Sequence, residues 1–399
     1  MEKIEFQDLS FKEEQNKIRI FFLDNYYFDI EKKELSNIGK FRTTKNSISF
    51  DANENKARKK LNFLINKGFA NLKNTFNNKK TIYLHKNMGI PLIGLNYFGL
   101  VDRNTSLIEV KPSTICNFNC IYCSIDAGLS SKKPVEFVIE KDFLIEELKK
   151  LVKTKNCDKL EVYINPHGEP LLYKPLVELI KDISKIKEVK TISLSSNAFL
   201  LNKQKVDEMI KAGLSKFNLS INSIDEKIAK KMAGINYNPK KIIEICKYIA
   251  KSKAKMIIAP VWLPGFNNKE IPKLIEFAKE INAKIYTQNF LNYKFGRNPC
   301  KSLDFEEFFK KMKELEKQHN TKLIVDASDF NITKTNNLEK PFKKNDVIQA
   351  EILFDGRLKR EKIATAKDRL ISIPNCDKTG KVKIKIVRSK HNIFVGVLI

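Results

Sequence analysis

The sequence predicts an α/β protein: a partial (βα)6 barrel of the TIM type, with an N-terminal α+β extension and a small C-terminal β-barrel of the OB type. From residue 106, six short β-rich runs alternate with helical segments, which is typical of βα units around a parallel sheet. After residue 346, five β-rich runs follow one another without a helical period, which favours a small closed barrel. We therefore expect an extension over residues 1–100, a core over 101–335 and a barrel over 340–399.

The extension has a mixed pattern. Lys17–Leu23 is rich in apolar residues and is typical of a strand, and Lys80–Leu84 is a further candidate strand. Lys56–Gly68 has helical spacing and is expected to end at its glycine. Gly89–Gly99 is apolar and interrupted by glycine and proline, so we expect a buried connector that leads into the core.

The core is expected to carry its chemistry at one end. Its six predicted strands are Ser106–Val110, Leu160–Ile164, Thr191–Leu194, Phe217–Ile221, Lys255–Val261 and Lys284–Gln288. Helical spacing predicts helices over Lys141–Val152, Leu176–Ile186, Lys203–Ala212, Pro239–Ser252, Asn268–Ile281 and Phe305–Gln318. In an incomplete barrel or a doubly wound sheet alike, ligands gather at the carboxyl ends of the strands.

The last part of the chain is the most basic. Its five predicted strands are Val347–Leu353, Lys362–Ala366, Arg369–Ile373, Lys381–Val387 and Ile393–Leu398. Residues 340–399 carry 15 basic and six acidic side chains, and their net charge of +9 is a third of the chain's +27. Localised positive charge favours a polyanionic partner. The alternative is that a lysine-rich composition throughout the chain produces the charge without a partner.

Three of the seven cysteines lie within eight residues, directly after the first core strand: Cys116, Cys120 and Cys123. Thiolates are the natural ligands of iron–sulfur clusters. Three of them leave one iron of a four-iron cluster open to a ligand that is not protein. A zinc site is the alternative, but the second Cys-x-x-Cys pair that is typical of zinc knuckles is missing from the sequence.

The spacing Cys-x-x-x-Cys-x-aromatic-Cys, with Tyr122 before the last cysteine, resembles the signature of the radical S-adenosylmethionine (SAM) superfamily. Further segments at predicted strand ends, residues 167–170, 195–197, 218–222 and 261–267, resemble the family's SAM-binding motifs in the family's order, although His167 and Ala198 replace family glycines. The resemblance covers roughly residues 90–300 and is closest to an archaeal branch of predicted iron–sulfur oxidoreductases.

The resemblance implies a set of cofactor-binding residues. Cys116, Cys120 and Cys123 would hold a [4Fe-4S] cluster. SAM would be bound by residues at the strand ends, namely Gly168, Glu169, Pro170, Ser195, Asn197, Ser220, Asn222 and Pro264. A donor such as ferredoxin or flavodoxin would supply an electron to the cluster. The reduced cluster would cleave SAM to methionine and a 5′-deoxyadenosyl radical, and this radical would remove a hydrogen atom from the substrate.

Residues after the sixth strand are candidates for contact with the substrate. Asn289, Tyr293 and Arg297 lie there, and Arg297 could pair with a phosphate or a carboxylate, with a structural salt bridge as the alternative. Cys300 is a candidate catalytic thiol, with plain packing as its alternative. Residues 1–115 contain no cysteine, which argues against methylthio transfer, since the radical SAM methylthiotransferases hold a second cluster on N-terminal cysteines.

The C-terminal strands resemble a TRAM domain, a small RNA-binding barrel of RNA-modifying enzymes. Gly356–Arg360 and Lys381–Arg388 would present basic stripes to a phosphate backbone. The leading hypothesis is therefore radical modification of transfer or ribosomal RNA. Three alternatives stay open: modification of a small metabolite or coenzyme, activation of a partner enzyme by forming a glycyl radical, and an RNA-binding protein whose cluster is structural.

The sequence predicts a cytoplasmic protein. No run of about 18 apolar residues occurs, so we expect no membrane span and no membrane partner. The first five residues, Met1–Glu5, lack the basic and apolar regions of a signal peptide.

Overall fold

The N-terminal region folds as strands because apolar and polar residues alternate there over short runs. In Lys17–Phe22, for example, every second side chain is buried. The computed structural model describes residues 2–399, and its elements in this region are β1 (Glu2–Glu5), β2 (Leu9–Glu13), β3 (Lys17–Phe22), β4 (Tyr26–Glu31), α1 (Lys32–Ser36), β5 (Lys40–Thr43), β6 (Ser47–Asp51), α2 (Glu54–Phe69), β7 (Lys73–Asn74) and β8 (Lys80–Leu84).

Helix α2 begins and ends elsewhere than the sequence predicts. Asn53 caps its first turn by accepting the N–H of Lys56, so the helix starts before Lys56. The expected end at Gly68 is wrong, because Gly68 lies inside the helix and packs closely against the ring of Phe28. The helix ends one residue later at Phe69.

The central sheet confirms the predicted partial (βα)6 barrel. Its order is β17-β15-β14-β13-β12-β10-β9, and all its pairings are parallel except that of β9 with β10. The strands are β9 (Gly99–Asp102), β10 (Leu107–Lys111), β12 (Leu160–Ile164), β13 (Val189–Ser196), β14 (Lys216–Leu219), β15 (Lys255–Ile258) and β17 (Lys284–Ile285). The helices are α3 (Lys141–Lys155), α4 (Leu176–Ser184), α5 (Lys203–Ala212), α6 (Glu226–Ala233), α7 (Pro239–Ala250), α8 (Glu270–Glu280) and α9 (Phe305–His319).

Two predicted strands are broken in the structure. The fifth run stops at Ile258 and resumes as β16 (Val261–Trp262), because Pro260 lacks the N–H that a central strand needs. The sixth resumes as β18 (Gln288–Asn289), which pairs with β16 in a small separate sheet. The fully buried strand β11 (Val135–Ile139) and helix α6 were not predicted; β11 pairs with β8, so core and extension share a six-stranded sheet.

The C-terminal strands close into the predicted five-stranded barrel. They are β19 (Val347–Asp355), β20 (Lys362–Ala366), β21 (Arg369–Ile373), β22 (Lys381–Arg388) and β23 (Val395–Leu398), in the closed order β19-β20-β21-β23-β22. Alternate residues of β22 fill the barrel interior, whereas its lysines face outward. None of the helices within residues 2–399 has the length and apolar content needed to cross a bilayer.

A buried ion pair fixes the barrel against the core. Arg357, in the connection from β19 to β20, donates from Nη2 to Glu136 Oε2 at 2.9 Å and to the Thr114 carbonyl at 3.1 Å. Both charged side chains are at most 3% exposed. The expectation that Gly356–Arg360 forms a basic stripe is therefore wrong for Arg357, and Arg360 is engaged with Asp377.

We expect Arg357→Met to destabilise the protein by about 3 to 5 kcal/mol, because it leaves the buried Glu136 carboxylate without its partner. Urea unfolding measures this change. Arg360→Met is the matched control; it removes an exposed ion pair, so the midpoint should hardly move. An equal and small effect of both substitutions would contradict this account of the barrel interface.

Candidate active site

The carboxyl ends of the core strands surround a cavity of about 340 Å³. Its size lies in the range of small-molecule sites. Each βα unit contributes to its wall, through residues that include Cys116, Cys120, Cys123, Asn165, Gly168, Glu169, Ser195, Asn197, Ser220, Val261, Gln288 and Asn289. The strand ends at which the βα pattern predicts ligands are thus the ends at which the three cysteines and Glu169 lie.

The three thiols form one wall of this cavity, in a segment that we call the cysteine loop (residues 112–134). The loop is held by the end of α6: the N–H groups of Asn119 and Ile121 donate to the carbonyls of Ala233 and Met232 at 3.0 and 3.1 Å. Gly234 permits this approach, since its φ is +66° and a Cβ there would lie 2.2 Å from the Asn119 carbonyl oxygen. A helix that the sequence analysis missed therefore shapes the cysteine loop.

Arg297 also binds the cysteine loop, through hydrogen bonds from its backbone and its side chain. Its backbone N–H donates to the Cys123 carbonyl at 2.9 Å. Its guanidinium donates to Asp126 Oδ1 at 2.8 Å and to the carbonyls of Cys120 and Ala127 at 3.0 and 2.9 Å. The structure thus places Arg297 in a structural ion pair with Asp126 and outside the cavity lining.

Cys300 does not line the cavity either. It packs against an apolar cluster formed by Met232, Leu263 and Phe290, which is the packing alternative that the sequence left open. Asn289 and Tyr293, in contrast, do line the cavity.

The protein environment disfavours free thiolates at Cys116 and Cys120. Burial, together with the charge of a neighbouring thiolate, raises the pKa of Cys116 well above its usual range and the pKa of Cys120 to about 12. A cationic metal group is what stabilises adjacent thiolates. Within residues 2–399, no three or more His, Cys, Asp or Glu side chains surround a single metal position. Cysteine thiolates are the usual ligands of an iron–sulfur cluster, which distributes its ligands over several irons, whereas a zinc ion needs all its ligands around one centre.

Glu169 presents a buried carboxylate on the adjoining wall. Its Oε1 accepts the Ser196 hydroxyl at 2.7 Å, and its Oε2 accepts the N–H of Asn197 at 2.8 Å. Burial raises the pKa of Glu169 to about 7, although these hydrogen bonds oppose the shift. Next to it, a Cβ at Gly168 would lie 2.0 Å from the Ile115 carbonyl oxygen, so the glycine lets this turn pack against the cysteine loop. The carboxylate can bind an ammonium group beside the thiols.

The structure brings together most of the residues expected to bind SAM, but not all of them. Gly168, Glu169, Ser195, Asn197 and Ser220 line the cavity, whereas Pro170, Asn222 and Pro264 do not.

Of these three residues, Asn222 contacts the lining directly, whereas Pro170 and Pro264 lie in turns next to it in sequence. Asn222 donates to the Tyr122 hydroxyl at 2.6 Å and accepts the N–H of Val261 at 2.8 Å, so it positions two residues that do line the cavity. Pro170 opens a buried 3-10 turn after Glu169. Pro264 lies beyond β16 in a turn that Asn267 closes by accepting the Leu263 N–H at 2.8 Å.

The comparisons agree with this geometry. The family model of the radical SAM superfamily matches residues 110–278, which contain the three thiols and Glu169. An uncharacterized protein of Methanocaldococcus jannaschii is 38% identical over 362 residues, which are 82% of this chain and 83% of that protein. The chain belongs to the radical SAM superfamily. A radical SAM enzyme works with a [4Fe-4S] cluster and SAM, and both cofactors are those that the resemblance implies.

Other relatives of this radical SAM enzyme match shorter parts of it. A GTP 3',8-cyclase of Campylobacter jejuni subsp. doylei is 30% identical over 191 residues, and the match spans 48% of this chain and 57% of the cyclase. A solved structure of TYW1 with a lysine-pyruvate adduct bound has 21% identity and a TM-score of 0.41, and covers 58% of this chain and 80% of that one.

We expect Arg297→Met to loosen the cysteine loop, because it removes hydrogen bonds from a charged donor, each of which contributes about 1.5 to 3 kcal/mol. The melting temperature and the iron content per chain after anaerobic purification should both fall. Lys301→Met, an exposed lysine nearby, is the control and should change neither. Full iron content with an unchanged melting temperature would show that the hydrogen bonds of Arg297 do not hold the loop.

Proposed function

We propose that Cys116, Cys120 and Cys123 hold the cluster and that Glu169 takes the ammonium group of SAM. The support is geometric: three thiols share one wall of the cavity, and a buried carboxylate lies on the adjoining wall. A donor such as ferredoxin or flavodoxin would reduce the bound cluster. Together with SAM, the reduced cluster would supply methionine and a 5′-deoxyadenosyl radical that takes a hydrogen atom from the substrate.

The chain's own residues orient the cofactor and keep water away. The Ser196 hydroxyl and the Asn197 N–H hold the Glu169 carboxylate in one orientation, so an ammonium group meets a charge that is already in place. Phe118, Tyr122 and Phe290 supply apolar surface on the cavity wall, which excludes water from a reactive radical.

SAM affinity should depend on the protonation of Glu169. With a pKa of about 7, the ionised fraction of this carboxyl rises about tenfold between pH 6 and pH 8, so SAM should bind more tightly as the pH rises. Glu169→Gln should weaken SAM binding at least tenfold and remove the pH dependence. Anaerobic calorimetry on the reconstituted protein measures both, with the exposed Glu244→Gln as control. A pH-independent affinity in the unsubstituted protein would refute this role of Glu169.

We further propose that the substrate is a nucleotide of RNA and that the barrel binds that RNA. One observation carries this proposal. Strand β22 holds Lys381, Lys383 and Lys385 on its outward side and ends at Arg388, which lines a second cavity that we call the junction cavity. An extended strand rises about 3.3 Å per residue, so this basic face is about 23 Å long. A polyanion bound along this basic face would extend from the barrel surface towards the junction cavity.

The barrel also turns its usual ligand-binding connections towards the core. In OB-type barrels, oligonucleotides bind at the connections between the first and second strands and between the fourth and fifth strands. Here these connections are residues 356–361 and 389–394, and both contribute to the wall of the junction cavity. The orientation of the barrel therefore favours a nucleic-acid substrate at the active site.

A free nucleotide or other small phosphorylated metabolite is the second candidate. The observation that favours it is the match to a protein named GTP 3',8-cyclase, which acts on a nucleotide by its name. A purely structural cluster in an RNA-binding protein is disfavoured, since such a cluster gives no reason for a buried carboxylate beside the thiols.

Replacing Lys381, Lys383 and Lys385 together with Glu should weaken RNA binding at least tenfold and reduce the salt dependence of log K by about 2, because three phosphate contacts are lost. Fluorescence anisotropy with bulk transfer RNA at several salt concentrations measures this. The control replaces three exposed lysines of α9, Lys310, Lys313 and Lys317, with Glu.

The same variants separate binding from chemistry. With SAM and a reductant, RNA should increase 5′-deoxyadenosine formation by the unsubstituted protein and by the α9 control, but not by the β22 variant. If the β22 variant binds RNA as well as the control does, RNA is not recognised by the barrel.

A further inference from the structure

The junction cavity adjoins the SAM cavity. It encloses about 570 Å³ between the cysteine loop, the segment before β9 and the barrel. Ser124, Ile125 and Tyr293 line both cavities, so a ligand in the junction cavity lies against the wall of the SAM site. Two of these residues directly follow Cys123 in the chain.

Lys133 is a buried cation in this cavity that forms no ion pair within residues 2–399, although the buried carboxylate of Glu361 lines the same cavity. The residue is 7% exposed, and its ammonium makes one hydrogen bond, to the Phe295 carbonyl at 3.3 Å. Its ammonium also lies 5.5 Å from the centroid of the Phe295 ring. Burial lowers its pKa, although the charges of Asp126 and Glu361 oppose this shift. An ammonium has three donors and is costly to bury unless they are paired. The two free donors suit an anionic group of a ligand.

Tyr97 adds a second buried polar residue to the lining. It is also 7% exposed, and its hydroxyl, which lies near Glu361 and the Arg357 backbone, makes no hydrogen bond of ordinary geometry. Burial raises its pKa well above the usual value, so it stays a neutral donor. The ring of His167 lies beside it, with 6.4 Å between ring centroids, and burial lowers the pKa of that imidazole well below its usual value. Both side chains can therefore contact a polar, uncharged part of a ligand.

Two aromatic side chains stand exposed at the mouth of the cavity. Tyr293 is 50% exposed and Phe295 is 55% exposed, which is unusual for large apolar residues beside an open cavity. Exposed aromatic rings are the stacking surfaces on which single-stranded bases bind. On the barrel side, the exposed Arg388 adds a further cation to the lining, besides Lys294 and the ion-paired Arg357.

We infer that the junction cavity binds a nucleotide, with Lys133 and Arg388 at its phosphate and with Tyr293 and Phe295 stacking on its base. The inference rests on the proposed function and names the substrate class of the same site. The chemistry is shared by a free nucleotide and by a nucleotide of an RNA chain, so the experiment must separate these two sources.

The test measures binding to the reconstituted holoenzyme with SAM, anaerobically. The probes are the four nucleoside 5′-monophosphates, GTP, the matching nucleosides and bulk transfer RNA. Lys133→Met should weaken the binding of phosphate-bearing probes at least tenfold and leave the binding of nucleosides unchanged. Lys132→Met, at the neighbouring exposed position, should change the affinity for neither kind of probe. Phe295→Leu should weaken nucleotides and nucleosides alike. Arg388→Gln, at an exposed position, repeats the phosphate test in a variant whose folding is not at risk.

The outcomes distinguish this inference from the proposed function. Tight binding of free nucleotides with no affinity for transfer RNA would support the cavity and overturn RNA as the substrate. RNA binding that depends on the β22 lysines but is indifferent to Lys133→Met, Arg388→Gln and Phe295→Leu would overturn the cavity and leave the RNA proposal standing. Loss of RNA binding in both sets of variants supports both.

Discussion

A buried ion pair at the neck of the cysteine loop is the interaction on which both cavities depend. Thr114 lies at the start of the loop and Glu136 lies just after its end. The Thr114 hydroxyl donates a hydrogen bond to the Glu136 carboxylate. Phe137 donates to the Thr114 hydroxyl at 2.8 Å, which closes the neck. Arg357 of the barrel then binds both Thr114 and Glu136. A single guanidinium thus joins the barrel to the base of the loop that carries the thiols, and without an internal partner each buried charge would cost several kcal/mol.

Two further anchors hold the free part of the loop, and they come from distant parts of the chain. The end of α6 receives the N–H groups of Asn119 and Ile121, and Arg297 binds the carbonyls of Cys120 and Ala127. These contacts engage backbone groups that a buried loop could not otherwise satisfy. The thiols are therefore placed by hydrogen bonds to the main chain of their loop, and each anchor lies at least 100 residues from the thiols in sequence.

The sequence predicts those parts of the molecule that depend on local pattern. Strands β12, β20 and β21 have the predicted bounds, because period and composition decide them. Helix α6 was missed although Asp225 caps its start and Gly234 its end, since eight residues give a weak periodic signal. Arg357 was predicted as part of an exposed basic stripe, because a buried, paired charge and a solvated one look the same in a sequence. Pairing of this kind exists only after the barrel docks on the core.

The same reasoning bears on the net charge of the chain. Most lysines outside β22 are exposed singly or form ion pairs such as that of Lys216 with Glu161, and such lysines do not indicate a partner. Lys133 differs because it is buried, it forms no ion pair within residues 2–399, and it lies in a cavity whose wall is continuous with that of the cavity lined by the three thiols. A fold does not retain a desolvated ammonium for stability, since burying an unpaired charge is unfavourable. Its position beside the residues that follow Cys123 is therefore better explained by a ligand that supplies the missing negative charge where the radical must act.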